Sequence, residues 1–417
     1  MPDQHTKEYD EGKALEEGIL IPLDLPEFQV VSQTWHHDGS VSVRVIAKQQ
    51  TAICPQCQVS CDRIHDRRDR VKRDLMVRTS RVNLIMIKRR FRCSTCRHTF
   101  TEPDKACGRQ RRTTRRLRET LGKHAMTQPV EQVADTFAVG PRFVRECLHH
   151  LSTPLLQARG LDEHALGPLP TPRFLGIDEF AVRKGHRYAT ILCNLEQREV
   201  MEVCLGRKLD DVVALLNRLE HPENVQAVSM DMSASFAPAV RKALPQVQIV
   251  VDHFHVIQHL MKAFRKVVSS WAHKKEGCIL LHRKQHLFLC AKEDLTAEQE
   301  HERARIATHL PALAHAWELK EALRTWYAQA TMKTAEAQLD AWIIQVRETG
   351  PEPMRQALST FVNWKAEILA FFRFLPNRLT NGFVEGKNNR TKAMMRQAYG
   401  YRNFRNLRVR ILLGGTV

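Results

Sequence analysis

The chain has 417 residues, 43% of them apolar, and carries 64 Lys and Arg against 46 Asp and Glu, for a formal charge of +18 and an isoelectric point near 9.6. That length holds about two to four domains with at least one sizeable core, and no apolar run approaches the ~20 residues that span a bilayer, which excludes a helical membrane protein. The positive charge is concentrated, with 23 Lys and Arg against 10 Asp and Glu in residues 51–150, and the partner expected for such a patch is an anionic polymer, nucleic acid above all.

Eleven cysteines, an odd number that includes two CxxC pairs, suit a reducing interior and a bound metal better than a disulfide framework. The N-terminus, MPDQHTKEYDEGKALEEG, is polar and acidic and lacks the basic-then-apolar layout of a secretion signal, so a cytoplasmic location is expected. No internal repeat and no low-complexity tract interrupts the pattern.

Residues 1–50 read as an irregular tail to about residue 25, followed by FQVVSQTWHHDGSVSVRVIAK, two short strands around Asp38-Gly39. Residues 51–107 carry the cysteine pairs. Cys54, Cys57, Cys93 and Cys96 form two knuckles, and the alternating VRTSRVNLIMIKRRFRC between them reads as strand. Four thiolates in two such pairs hold one tetrahedral, structural Zn²⁺, a closed site with no open position for chemistry, as in a zinc ribbon. Cys61, His65, His98 and Cys107 are alternative ligands on the same stretch.

Residues 108–160 read as a helix-turn-helix. Helices are expected over Thr113–Ala125, Val130–Phe137 and Pro141–Leu151, with Val133, Ala134, Phe137, Val139, Val144 and Leu148 turned inward. Arg142 and Arg145 then lie on the outer face of the third helix, where side chains reach base edges in a major groove, and the Arg-rich leader Arg109–Arg118 adds Arg115 and Arg116 as DNA contacts. Gly160–Pro172, with GPLPTP inside it, is the linker.

From residue 173 to 417 the expected order is three strands (FLGIDEFAV, HRYATILCNLE, EVMEVCLGRK), a helix over Asp210–Leu219 capped by Asp210 or Asp211, a strand (VQAVSMDM), a helix (SASFAPAVRKALP) and a fifth strand (VQIVVDHFHV). That is the layout of an RNase H-like sheet, in which the first and fourth strands are neighbours. A helical insertion of about residues 256–374 follows, anchored by Trp271, Trp317, Trp326, Trp342 and Trp364, with Cys193, Cys204, Cys278 and Cys290 as small core residues. Asp178 and Asp231 end the first and fourth strands, and Glu385 opens a late polar helix. Carboxylates gathered from distant segments bind hard divalent cations, and in so basic a chain the substrate for two Mg²⁺ (or Mn²⁺) is a phosphodiester. Glu179 points to the opposite face of its strand from Asp178. On the late helix Glu385, Asn388, Asn389 and Lys392 share a face, and Lys387, Arg390, Arg396, Arg402, Arg405 and Arg408 surround it.

The combination GIDEFA, VSMDMSASF, IVVDHFHVIQ and TNGFVEGKNNRTKAMMRQAYGYRNF, after two CxxC knuckles and a helix-turn-helix, resembles the bacterial insertion-sequence transposases of the ISL-three family, within the DDE transposase superfamily, over residues 45–417. The resemblance implies an RNase H-like catalytic domain, two-metal phosphoryl transfer, recognition of terminal inverted repeats by the N-terminal domains, transfer into target DNA, a homo-oligomer in the active complex and a bacterial, nucleoid-associated location. It matches Asp178 to the family's first acid and Glu385 to its last. The middle acid is open between Asp231, favoured by topology, and Asp252, which with His255 fits a (Cys or Asp)-x-x-His signature of related transposases. Two other functions fit less of the chain: a DNA-binding regulator derived from such an element, and an RNase H-like nuclease that cuts without joining.

Overall fold

The computed structural model describes every residue except 1–22, 105, 109–110, 163–166, 376–378, 399–400, 402 and 415–417. Most of the expected tail, part of the linker and Arg402 therefore lie outside the described residues. The chain forms two compact units, Met1–Pro154 and Leu155–Thr416.

The first unit begins with a hairpin of β1 (Phe28–Trp35) and β2 (Val41–Ala47). Asp38 closes its turn by accepting from the Ser40 amide at 2.9 Å, and Gly39 supplies the left-handed residue, φ +74°. After the short strands β3 (Ala52–Ile53) and β4 (Ser60–Cys61) come β5 (Ile64–Arg73), β6 (Val82–Arg92) and β7 (Thr99–Thr101). The strands run in the order β1-β2-β6-β5, with β7 pairing the end of β6. Alternate residues Val41, Val43, Val45, Val82, Leu84 and Met86 share one core, the period of two that a half-buried sheet requires. The charged strand β5, IHDRRDRVKR, has no apolar alternation and exists because β6 offers it nine register partners from Ile64 to Arg73.

Three helices follow: α1 (Arg115–Thr127), α2 (Val130–Thr136) and α3 (Pro141–Ala158), the last running beyond the expected end and past the unit's last residue, Pro154. Thr114 caps α1 by accepting from the Leu117 amide. A Cβ on Gly122 would meet the Cys147 carbonyl at 2.9 Å, so glycine lets α1 and α3 close up. Val133, Ala134, Val144 and Leu148 are buried, while Phe137 and Val139 are half-buried.

The second unit is built on β8 (Phe174–Arg183), β9 (Arg187–Asn194), β10 (Glu199–Leu205), β11 (Ala227–Met230) and β12 (Gln248–Val251) in the order β10-β9-β8-β11-β12. The first three form an antiparallel meander, and β8, β11 and β12 are parallel. Helices α4 (Leu209–Leu216) and α5 (Phe236–Ala243) make the two crossovers. Lys208 occupies the N-cap of α4. Asp211 accepts from the Lys208 amide at 3.0 Å from inside the first turn, and neither aspartate is the capping residue the sequence suggested. Asp178 does not end β8 either: the strand continues to Arg183 along β9, and what stops at Gly176 is its pairing with β11.

A helical block follows: α6 (His253–Ala272), α7 (Lys275–Leu280), α8 (His286–Leu289), α9 (Ala297–His309), α10 (Pro311–Gln329), α11 (Ala335–Thr349), α12 (Glu352–Asn363) and α13 (Lys365–Leu369). Its core is continuous with Ala227, Val250 and Val251 of the sheet, so the block packs on the β11–β12 side. Trp326 and Trp342 are buried and satisfied, donating to the Ala335 and Leu319 carbonyls at 3.0 and 2.9 Å. Cys278, expected in the core, is exposed. The chain closes with α14 (Gly382–Gln397) and α15 (Phe404–Leu413). Arg408, read as a surface cation, is buried and donates to both oxygens of Glu202 on β10 at 2.6 and 2.7 Å, fixing α15 to the sheet. Among the described residues no helix is long and apolar enough to cross a membrane.

Candidate active site and zinc centre

In the first unit the four knuckle thiols converge. Cys54, Cys57, Cys93 and Cys96 place their sulfurs within 4.8 Å of one another, with Cys54–Cys96 at 3.6 Å and Cys57–Cys93 at 3.5 Å. A tetrahedral zinc with Zn–S bonds of ~2.3 Å sets sulfurs about 3.8 Å apart, so the residues present fit the ion. Backbone amides of Cys96 and Thr95 aimed at Cys93 pull its thiol down to about 6, whereas burial and the neighbouring thiols push Cys96 up to about 12. Of the alternative ligands, Cys61 is buried beside the knuckles with its thiol pushed up to about 11 by burial, and Cys107 lies in the other core against Met86. His98 stacks on Phe100.

The expected DNA-contacting arginines of this unit divide. Arg115 and Arg142 are exposed, Arg142 pairing only with its neighbour Glu146, and Arg145 is half-exposed beside Glu131. Arg116 is not a free surface cation: buried Asp74 takes its Nε at 2.9 Å and its Nη2, and the Leu23 carbonyl takes Nη1. In the second unit Lys387 is partly desolvated and lies over the Phe383 ring, while Arg390 is exposed and donates to the Gly414 carbonyl.

The acidic site is assembled on the second unit's sheet. Asp178 projects from β8 and Asp231 follows β11 by one residue, and the parallel pairing of these strands makes the two carboxylates neighbours. The helix that bears Glu385 is seated on bare backbone. A Cβ on Gly176 would lie 2.6 Å from Val384 and 2.9 Å from the Asn381 side chain, and Asn381 donates to the Ile177 carbonyl at 3.1 Å. One turn further, Asn388 donates to Asp178 Oδ2 at 2.6 Å. His255, on the first turn of α6, puts Nδ1 2.8 Å from Asp231 Oδ1 and Nε2 3.8 Å from Glu385 Oε1, so one imidazole lies between the two carboxylates.

Asp252 has a different task. It is buried, caps α6 by accepting from the Phe254 amide at 2.9 Å, and with its other oxygen accepts from the Asn381 amide at 2.6 Å. Both oxygens are engaged in tying α6 to the start of α14. Glu179 faces away, paired with Arg207, and Asn389 and Lys392 are solvent-exposed although they are on the same helix as Asn388. Asn381 and Gly176 are positioning residues absent from the sequence expectations; the glycine inside an apolar strand start, FLGI, was their available signal.

Electrostatics mark the site. Burial, then the negative charge of Asp231, pushes Asp178 up from 3.8 to about 7. Burial would lower His255, but the contact with Asp231 and the charges of Asp231, Asp252 and Glu385 raise it on balance. Asp231 Oδ1 and Asn388 Oδ1 are buried without an aligned hydrogen-bond donor among the described residues. Crowded carboxylates and an orphaned amide oxygen fit a hard cation with oxygen ligands.

The profile of the ISL3 group of DDE transposases, described as a transposase, matches residues 175–411, and that of the zinc finger of transposases IS204/IS1001/IS1096/IS1165 matches residues 50–96. These matches cover both centres and define a DDE transposase with a zinc ribbon in its N-terminal part. The chain belongs to the ISL3 transposase family. It is 26% identical to the transposase for insertion sequence element IS1001 of Bordetella parapertussis over 382 residues, 88% of this chain and 90% of that protein. It is 24% identical to the transposase for IS1557 of Mycobacterium tuberculosis over 262 residues, 55% of this chain and 57% of that one.

Two outcomes are expected. Elemental analysis of purified protein should give one zinc per chain, and stripping it with a strong chelator should melt the knuckles, seen as lost amide-exchange protection over residues 52–61 and 91–101 while the second unit's protection is unchanged. For Asp178, the folded protein holds the proton more tightly than the unfolded chain, so its carboxyl makes folding progressively less favourable as pH rises from about 4 to about 7. Asp178→Asn should therefore stabilise the metal-free protein at pH 8 by up to about 4 kcal/mol and much less at pH 4 to 5, read by thermal melting at both pH values.

Proposed function

We infer that this transposase binds the terminal inverted repeats of an insertion sequence and catalyses metal-dependent strand cleavage followed by strand transfer into target DNA. The observation that carries this reading is the meeting of Asp178, Asp231 and Glu385 around His255 and Asn388 on one sheet edge, in a chain of the ISL3 family. The strand order β10-β9-β8-β11-β12, an antiparallel meander extended by two parallel strands, supports an RNase H-like catalytic domain over residues 173–417 with the helical block as its insertion. The zinc ribbon of residues 51–107 and a helix-turn-helix in 108–160 are assigned to end recognition, with exposed Arg142 and the partly exposed Arg145 at the start of α3 as base-reading candidates.

In this mechanism Asp178, Asp231 and Glu385 would hold the divalent cations. Divalent cations held there would supply charge neutralisation at the attacking and departing oxygens of a phosphodiester. The chain's own groups set the geometry. Asn388 fixes the Asp178 carboxylate through Oδ2, and His255 lies between Asp231 and Glu385, with one ring nitrogen toward each. Asp252 is a positioning residue that keeps α14 and α6 in register. No covalent enzyme intermediate is required, in keeping with the lack of a serine or tyrosine nucleophile motif. A homo-oligomer that brings two element ends together belongs to the same reading.

The test is cleavage and joining of a labelled terminal-repeat duplex in Mg²⁺ or Mn²⁺. Asp178→Asn, Asp231→Asn and Glu385→Gln should each lower strand cleavage by at least about 100-fold while the duplex is still shifted on a gel. Cleaved ends that never join to target would make the protein a nuclease, and full biological activity of Asp178→Asn would make it a regulator.

A further inference from the structure

Phe254 is an apolar side chain placed where apolar side chains are usually covered. It lies on the first turn of α6, 48% exposed, with its ring edge-on to the His255 imidazole at 5.7 Å. The same stripe of α6 continues through Ile257 and Met261 to Arg265, at spacings of three and four residues, and forms one wall of a groove whose opposite wall includes Leu289 and Ala291. The groove measures about 240 Å³, below the ~300–1,000 Å³ of sites for drug-sized ligands and suited to one flat ring system rather than a duplex.

Charge at its rim is one-sided. Lys320 and Arg324 also border the groove, but both are neutralised by Glu321, and Arg324 also by Glu293. Arg265 meets no carboxylate among the described residues and is exposed between Lys262 and Lys266. The walls are thus apolar and aromatic near the acids and cationic at the far end, about 16 Å along the helix. An aromatic face beside a cationic track is what stacks an unpaired base and neutralises the phosphates of its strand.

We propose that this groove receives an unstacked nucleotide of the DNA strand that runs through the acidic site, with its base against Phe254 and Met261 and its backbone toward Arg265. This rests on the proposed function and adds to it: the nucleotide flanking the scissile phosphate leaves the helix, which frees the backbone to approach Asp178 and Asp231. The imidazole that lies between Asp231 and Glu385 touches the Phe254 ring, so occupation of the groove and alignment of the acids are mechanically joined.

The experiment uses the full chain and a terminal-repeat duplex carrying 5-iododeoxyuridine at single positions around the cleavage site, held with Ca²⁺ and irradiated. Crosslinks at one flanking position should map to Phe254 or Met261. In Phe254→Ala the Met261 crosslink and the rate of end cleavage in Mg²⁺ should each drop roughly tenfold, and Phe254→Tyr should restore both. Crosslinks confined to other residues of a shifted complex, or an unaltered cleavage rate in Phe254→Ala, would overturn the proposal alone. A change of oligomeric state in Phe254→Ala with crosslinks unaltered would also overturn it, by making the groove a protein contact. Failure of wild-type protein to shift the duplex at all would remove the functional reading on which the proposal stands.

Discussion

Two carboxylates forced to share one sheet edge, one of them buried, are the arrangement around which the second unit is organised. In a protein of effective dielectric near 20, like charges ~5 Å apart repel by about 3 kcal/mol, and burial adds to that penalty. Asp178 registers both effects, and the groups that act against them are the Glu179 amide, the Asn388 side chain and His255. What faces the acids is neutral or titratable: the Asn388 amide and the His255 imidazole. A permanent cation there would stabilise the empty site and compete with a metal, whereas an amide and a histidine orient the carboxylates and leave their charge available.

Holding such a cluster requires rigid surroundings, and these are backbone contacts more than side-chain ones. Gly176 lets α14 rest on β8, Asn381 fastens the helix start to the Ile177 carbonyl, and Asp252 clasps the Asn381 amide while capping α6. Three chain segments, around residues 177, 252 and 381, are thereby locked within hydrogen-bond reach. At the other end of the sheet buried Glu202 receives Arg408 and Arg218, which anchors α15 and the turn after α4.

Much of this was legible from residue order. Apolar β-branched runs located every strand of the second unit, the DG turn located the first hairpin, and the CxxC spacing located the thiols that gather into one cluster. Residue order is ambiguous where one residue type serves two purposes. Arg408 and Arg116 look like surface cations beside other basic residues, and only the distant partners Glu202 and Asp74 reveal them as internal. Strand β5 was invisible because its charges mask the alternation and its pairing comes from β6. Asp231 and Asp252 each follow a buried strand, and only the expected strand order favoured Asp231. The distinction lies in hydrogen bonding across more than a hundred residues: Asp252 is consumed by Asn381, while Asp231 faces His255.

The most direct measurement is anomalous diffraction from crystals of the protein soaked in Mn²⁺, recorded near the manganese edge. The account predicts manganese density in contact with the carboxylates of Asp178, Asp231 and Glu385, and its loss in Asp178→Asn crystals. Manganese bound at Asp252, or at surface acids with these three carboxylates left bare, would contradict it.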